Sequence, residues 1–474
     1  MTLIGLRAAF PPGPAAMSGT APDGEGMRLA EVIGALSYAL DLTEGQPAGH
    51  SMRCAWIGMQ IGQTLLTGAA ALSDLYYTLL LKDAGCSSNA ARLWQLYGGD
   101  ERLIKQDYKT VDSQSVLQLA RFVLHHAGPD EPLRRRLLRV LNLVRHGDDL
   151  ADELVQSRCE RGADIVRRLG FSPAVATGVQ ALDEHWNGKG RPAGLRGAAI
   201  PLTARIALLA QVVDVFHAVG GPAAAATEVR RRTGSWFDPA VAAAFFTAAG
   251  DAVFWAGLAP AGLATRIAML EPLAQAVAID EDRLDVIAAG LADIIDAKSS
   301  YTFGHSRRVT QYGDAIAVVL GVAAPRRRWL RRAALLHDIG KLGVSTGILD
   351  KAGRLDAAEW ASMQRHAALT EEILSRMSAF RDLAPVAAAH HERLDGKGYP
   401  RGLSGDAIAF ETRIITTGDI FDAITSQRPY RAPMPMAAAL DLMEQDRGTA
   451  VDGRCLDALR AALPTLAAAD AATA

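Results

Sequence analysis

In residues 283–297, RLDVIAAGLADIIDA, apolar side chains recur at Leu284, Ile287, Ala288 and Leu291. That i, i+3, i+4, i+7 spacing marks one face of a helix. RRAALLHDIGK (331–341) is patterned in the same way, with Pro325 upstream near where a helix can start. Ala, Leu and Arg, all strong helix formers, dominate both segments. No run alternates convincingly in strand fashion, and DGKGYPRGLSG (395–405) reads as a loop. The pattern predicts an all-α chain.

The pattern also repeats. NGKGRP (187–192) lies over DGKGYP (395–400), and IPLTARIALLAQVVDVFHA (200–218) over IAFETRIITTGDIFDAITS (408–426), at an offset of 208 residues. Upstream the offset is 255, where GHS (49–51) lies over GHS (304–306) and LLKDAG (80–85) over LLHDIG (335–340). The 47-residue difference predicts an insertion in the first copy, between Asp83 and Arg158. Two tandem helical domains are therefore expected, at 28–250 and 281–465, joined by an apolar connector at 251–280. Residues 1–27, rich in Pro, Gly and Ala, read as a disordered leader, with Met17 or Met27 as alternative starts; residues 466–474 read as a disordered tail.

Composition narrows the function classes. A formal net charge of -2 over 474 residues gives no surplus to hold DNA, RNA or an anionic membrane. No apolar run reaches membrane-spanning length, so no insertion is expected. Four scattered cysteines without a C-x-x-C pair suggest neither disulfides nor a zinc ribbon, and fit a reducing cytoplasm.

Five of the 11 histidines fall after residue 280: His305, His337, His366, His390 and His391. Each lies in a helix-like stretch. Asp338 follows His337 directly, Glu392 follows the His390–His391 pair, and Asp419 and Asp422 lie three apart on one helical face. Imidazole and carboxylate suit Fe, Mn or Zn. So many donors exceed one tetrahedral ion and suit two metals sharing a carboxylate. Lys341 returns to the face of Asp338, where a bound phosphate would balance its charge. His125, His126 and His146 read as ordinary core or surface histidines, and the run Arg326, Arg327, Arg328, Arg331, Arg332 as a solvated helix face.

HDIGK (337–341), HHERLDGKGYP (390–400) and GDIFDAITSQRPYR (418–431) together resemble the HD-GYP family, a branch of the HD phosphohydrolase superfamily. The likeness covers about 281–440. It implies an all-helical fold and hydrolysis of cyclic di-GMP, a bacterial second messenger, to the linear dinucleotide or GMP. It implies two divalent ions, Fe or Mn, held by His305, His337, Asp338, His366, His390, His391 and Asp419, with Asp338 as the bridge. Lys341 would steady developing charge. Tyr399 would lie near the substrate, and Arg428 and Arg431 would meet phosphate or guanine. Some members place a glutamate four residues before the first histidine and hold a third metal; Tyr301 stands there, which favours two. Gln427 replaces the usual Asp of the SDRPYR stretch, and Gly418 stands where Ala is common. Readings kept beside this one are hydrolysis of another nucleotide and a non-enzymatic signalling module that docks a partner through the GYP loop. A homodimer is a further expectation.

In the first copy the same positions hold Lys82 for His337, Cys86 for Lys341, Arg158 for His366, Leu182 and Asp183 for His390 and His391, and Gln211 for Asp419. His50 and Asp83 alone survive, too few for a dinuclear cluster. The first copy is expected to be catalytically dead, kept for packing, dimerisation or regulation, with nucleotide binding to its basic pocket as a regulatory hypothesis.

Overall fold

The structure, a computed structural model, describes residues 29–129, 131–272, 279–299, 304–427 and 432–473. The expected leader, Tyr301, Arg428 and Arg431 lie outside them. The first repeat contains α1 (Leu29–Thr43), α2 (His50–Leu65), α3 (Ala69–Leu81), α4 (Ala90–Tyr97), α5 (Glu101–Tyr108), α6 (Val116–His126) and α7 (Leu133–Arg168). It continues through α8 (Pro173–Gln180), α9 (Leu202–Arg232), α10 (Pro239–Ala249), α11 (Ala252–Ala256) and α12 (Leu263–Met269). The second repeat comprises α13 (Glu281–Asp296), α14 (His305–Val319), α15 (Ala324–Leu336), α16 (Thr346–Leu349), α17 (Ala357–Ser375), α18 (Ala384–Ala388), α19 (Phe410–Thr425), α20 (Met436–Gln445) and α21 (Gly453–Thr473). Among the described residues there are no strands, only three isolated bridges. The chain is a tandem of two all-α repeats.

The two repeats share contacts as well as sequence. Gly49 and Gly304 both take the left-handed conformation, at φ 86° and 71°, and so let α2 and α14 start on His50 and His305. His50 Nδ1 meets Asp214 at 2.7 Å, and His305 Nδ1 meets Asp422 at 2.7 Å. Arg53 and Arg308 each donate through Nε to the same aspartates at 2.6 Å. Farther on, Arg205 pairs with Asp238 and Arg413 with Asp452, an offset that has grown from 208 to 214. The second repeat is thus six residues longer between α19 and α21, where SQRPYR lies. The insertion in the first repeat is α5, α6 and the N-terminal part of α7, since α17 corresponds to the C-terminal half of α7.

One apolar core runs through both repeats. α1 packs against the 3-10 turn Ile339–Gly343 and against α17 of the second repeat. Tyr38 donates to Glu372 at 2.7 Å, with the Arg376 guanidinium 4.0 Å from its ring. In the expected connector, α11 and α12 bury Phe254, Leu263 and Ile267, and Trp56 donates to the Phe254 carbonyl at 2.8 Å.

Three expectations differ from the structure. The arginine run is a solvated face only in part, because each member is ion-paired: Arg326 meets Glu411, Arg327 and Arg331 meet Asp314, and Arg328 and Arg332 meet Asp285. Arg332 is buried, so the run ties α15 to its neighbours. α21 stays helical to Thr473 because TLAAADAAT is made mostly of the best helix former. α9 is long and apolar enough to cross a membrane by length and composition, but 61% of its most apolar window is buried inside the protein. Its backbone also breaks at Gly220 and Gly221. It is two core helices end to end.

Candidate metal centre

Four elements deliver the site. His305 is the first residue of α14, His337 caps the C-terminus of α15, His366 lies within α17 and Asp419 within α19. α17 begins where its sequence dictates. Asp356 accepts from Glu359 N at 2.9 Å, and Glu359 returns to Asp356 N at 2.8 Å, a reciprocal cap. His390 and His391 fall in the turn after α18 rather than in a helix. Lys341 is on the 3-10 turn, since α15 has ended at Leu336. A Cβ on Gly340 would sit 1.9 Å from the His366 carbonyl, so only glycine lets this turn lie flat on α17.

The imidazoles are oriented from behind. Nδ1 of His337, His366 and His390 bonds the carbonyls of Ala334, Met363 and Ala387 at 2.6, 2.6 and 2.7 Å. A carbonyl can only accept, so each Nδ1 carries the proton and each Nε2 keeps a lone pair facing inward. Thr416 holds the His390 carbonyl at 2.7 Å, and Thr370 the His337 carbonyl at 2.9 Å.

Asp338 sits in the middle. Its Oδ1 is 3.6 Å from Nε2 of both His366 and His390. Its Oδ2 is 3.4 Å from His305 Nε2 and 3.3 Å from His337 Nε2. One carboxylate thus divides its oxygens between two histidine pairs. Asp419 Oδ1 joins the second pair, 3.3 Å from His305 and 4.0 Å from His337. His391 joins the first, its ring 4.0 Å from that of His390. Asp338 Oδ1, His305 Nε2 and His337 Nε2 are buried without a hydrogen-bond partner. Asp338 and Asp419 lie close to His305 Nε2 without aligning as hydrogen bonds, while Asp422 bonds the other ring nitrogen. Buried polar atoms left unpaired and facing one another fit a missing cation.

Protonation agrees. Burial pushes His366 down to about 4 and His391 to about 3, and holds His390 well below its ordinary range, so these rings are neutral at pH 7. Burial alone would also depress His305, but Asp338, Asp419 and Asp422 outweigh it and raise the group to about 10. A proton there answers three carboxylates, and a metal ion meets the same need. Burial works to raise Asp338 and Asp419, but Lys341 beside the first and His305 beside the second hold both well below the carboxylate range.

Tyr399 stacks at 35° on His391, with ring centroids 4.8 Å apart, and Trp360 meets Tyr399 edge-on at 6.1 Å. Lys341 Nζ donates to Asp338 Oδ2 at 2.5 Å. Glu392 fixes the GYP loop by accepting from Arg401 N and Leu403 N at 2.7 and 2.8 Å. The sequence reading missed the roles of Asp422, Arg308 and Glu392. The D-x-x-D spacing of Asp419 and Asp422 was the available signal for the first. Asp422→Asn should leave the fold intact but free the His305 ring; metal affinity should fall roughly 10- to 100-fold, as read by competition with a chelating dye.

In the first repeat the equivalent centre is filled from within. Lys82 Nζ lies 3.2 Å from His50 Nε2 and pairs with Asp83, while Lys109 reaches Asp83 at 3.8 Å and Glu44 at 3.0 Å. Arg158 pairs with Asp183. Burial, then Lys82, push His50 down to about 4. Side-chain cations occupy the place that the second repeat leaves to donors.

The family model described as HD domain matches residues 138–241 and 290–455, more than half of the chain. The 3'3'-cGAMP-specific phosphodiesterase 3 of Vibrio cholerae serotype O1 is 50% identical over 438 residues, 92% of this chain and 95% of that one. The chain belongs to the HD-GYP family. It is a metal-dependent phosphodiesterase, which removes the non-enzymatic reading. A crystal structure of a V. cholerae cyclic GMP-AMP specific phosphodiesterase (V-cGAP3) superposes with TM-score 0.64 at 46% identity, covering 93% of this chain and 98% of the other. The cyclic di-GMP phosphodiesterase response regulator RpfG of Xanthomonas campestris pv. campestris is 38% identical over 181 residues, 38% of this HD-GYP chain and 48% of its own.

Proposed function

We propose that the second repeat, expected at 281–465, hydrolyses 3'3'-cyclic dinucleotides, with 3'3'-cGAMP preferred over cyclic di-GMP. The division of Asp338 between two histidine pairs carries the chemistry. The preference rests on the 3'3'-cGAMP-specific relative, which aligns with both repeats, whereas the cyclic di-GMP relative above aligns with little more than a third of the chain.

In this reading His305, His337, Asp338 and Asp419 hold one divalent ion, and His366, His390, His391 and Asp338 the other. Fe and Mn both suit such a donor set. When bound, the ions lower the pKa of water and draw charge from phosphoryl oxygens. The residues of the chain supply the rest. The carbonyls behind His337, His366 and His390 keep their Nε2 atoms fixed inward. Lys341, mostly buried beside Asp338, balances the negative charge that grows on phosphorus oxygens. Tyr399, over His391, lines the substrate side, and Arg428 and Arg431 follow from the six-residue extension that the first repeat lacks. The first repeat, expected at 28–250, takes no part in the chemistry, because Lys82 fills its centre.

The test is hydrolysis by the full chain, purified without oxygen and supplied with Mn or Fe(II), with 3'3'-cGAMP and cyclic di-GMP in competition and products followed by chromatography. Faster loss of 3'3'-cGAMP supports the reading. Faster loss of cyclic di-GMP would restore the substrate that the motif resemblance alone implied. Loss of neither would point to another nucleotide.

A further inference from the structure

The N-terminal part of α7 carries an apolar face that no described residue covers. Leu133, Leu137, Leu138, Leu141 and Val144 are between 52% and 72% exposed. Leu143 on the opposite side is buried against Leu96 and Ala127 and anchors the helix. Scattered exposed leucines are ordinary, but five large apolar side chains within twelve residues form a patch of the kind that marks an interaction surface. The segment belongs to the insertion, so the fold shared by the two repeats does not require it.

The charges around the patch say what fits it. Arg134 stands seven residues before Leu141, and Asp148 seven residues after. At 1.5 Å per residue each lies about 10.5 Å from Leu141 along the helix. All three share a face, since seven residues make nearly two turns. A second α7 running antiparallel and crossing at Leu141 would set Arg134 of each copy beside Asp148 of the other. It would also set Leu138 opposite Val144. The Asp148 side chain is 99% exposed, with Arg191 at 3.5 Å. A self-complementary arrangement of this kind is what a two-fold axis demands. We propose that this face of α7 is the interface of a homodimer in which the two helices cross antiparallel at Leu141.

The test uses the full chain. Sedimentation equilibrium should give about twice 50.3 kDa. All four native cysteines are buried, so one introduced surface thiol can be followed alone. Leu141→Cys should oxidise to a disulfide-linked dimer, because a disulfide needs Cα atoms within about 7 Å and Leu141 lies on the axis. Leu133→Cys should not, since antiparallel helices hold its two copies about 24 Å apart. Arg134→Asp and Asp148→Arg should each raise the dimer dissociation constant roughly tenfold, by setting like charges together, and their combination should restore it. A monomeric wild type would overturn the proposal. So would cross-linking of Leu133→Cys as readily as Leu141→Cys, or a double variant no tighter than either single one.

Discussion

Asp338→Asn is expected to remove turnover and bound metal together. The substitution keeps the volume and takes away the charge. What it takes away is the one group that touches both halves of the site, 3.6 Å from His366 and His390 and 3.3 to 3.4 Å from His305 and His337. With the carboxylate gone, four inward-facing imidazoles surround a neutral amide, and Asp419, on the side of His305 and His337, is left to face a pair of divalent ions without the group that serves both. The loss in kcat/KM should exceed the roughly 10- to 100-fold that follows loss of an outer partner such as Asp422. Lys341 loses its partner as well, but it reaches solvent, so the fold should survive. Elemental analysis and steady-state kinetics on the same sample check this. A variant that keeps its full metal complement and its rate would remove Asp338 from the centre. The first repeat is a natural comparison: there Asp83 persists, yet Lys82 and Lys109 supply the positive charge.

The candidate donors were legible as a group because they sit in short motifs. HDIGK sets His337 beside Asp338 and HHERLDGKGYP sets His390 beside His391, and the structure brings the two pairs together with His305, His366 and Asp419. What holds the donors was not legible. Asp422 meets His305 across 117 residues, and no local spacing announces which residue a carboxylate will meet in the fold. The pairing Lys82–Asp83 could be read from adjacency, but Lys109 enters from an insertion whose packing has no counterpart in the second repeat. The arginine run was legible only in part, for a related reason. Its spacing describes one helix, while its acidic partners lie on α13, α14 and α19. Arg428, Arg431 and Tyr301 stand outside the described residues and remain expectations of the motif.

Glu101→Ala is expected to destabilise the chain by about 3 kcal/mol or more, although Glu101 lies in the other repeat from the chemistry. Its carboxylate is fully buried and accepts from Ser345 Oγ, Thr346 N and Thr346 Oγ1 at 2.9, 3.0 and 3.1 Å. Lys298, also buried, stands 3.8 Å away and donates to the Leu342 carbonyl at 2.6 Å. Arg102 next door donates to the Gly343 carbonyl at 2.7 Å. The insertion of the first repeat thus grips the backbone that directly follows Asp338 and Lys341. Alanine leaves three donors unpaired and strands the ammonium. Burial holds Lys298 down to about 8, and Glu101 is the strongest influence keeping it charged. The sign follows from proton counting. Between about 8 and the ordinary lysine value near 10.4, the unfolded chain binds more protons than the folded one, so this group makes stability rise with pH across that window. Below about pH 8 the cost of the buried charge is present in full. In Glu101→Ala the rise should begin at lower pH, as read from urea midpoints across the range. Adding Lys298→Met should then recover part of the loss at pH 7, because a buried charge without its partner costs more than an apolar chain of the same length. If the double variant were no more stable than Glu101→Ala, the lost bonds to Ser345 and Thr346, rather than the stranded ammonium, would carry the effect.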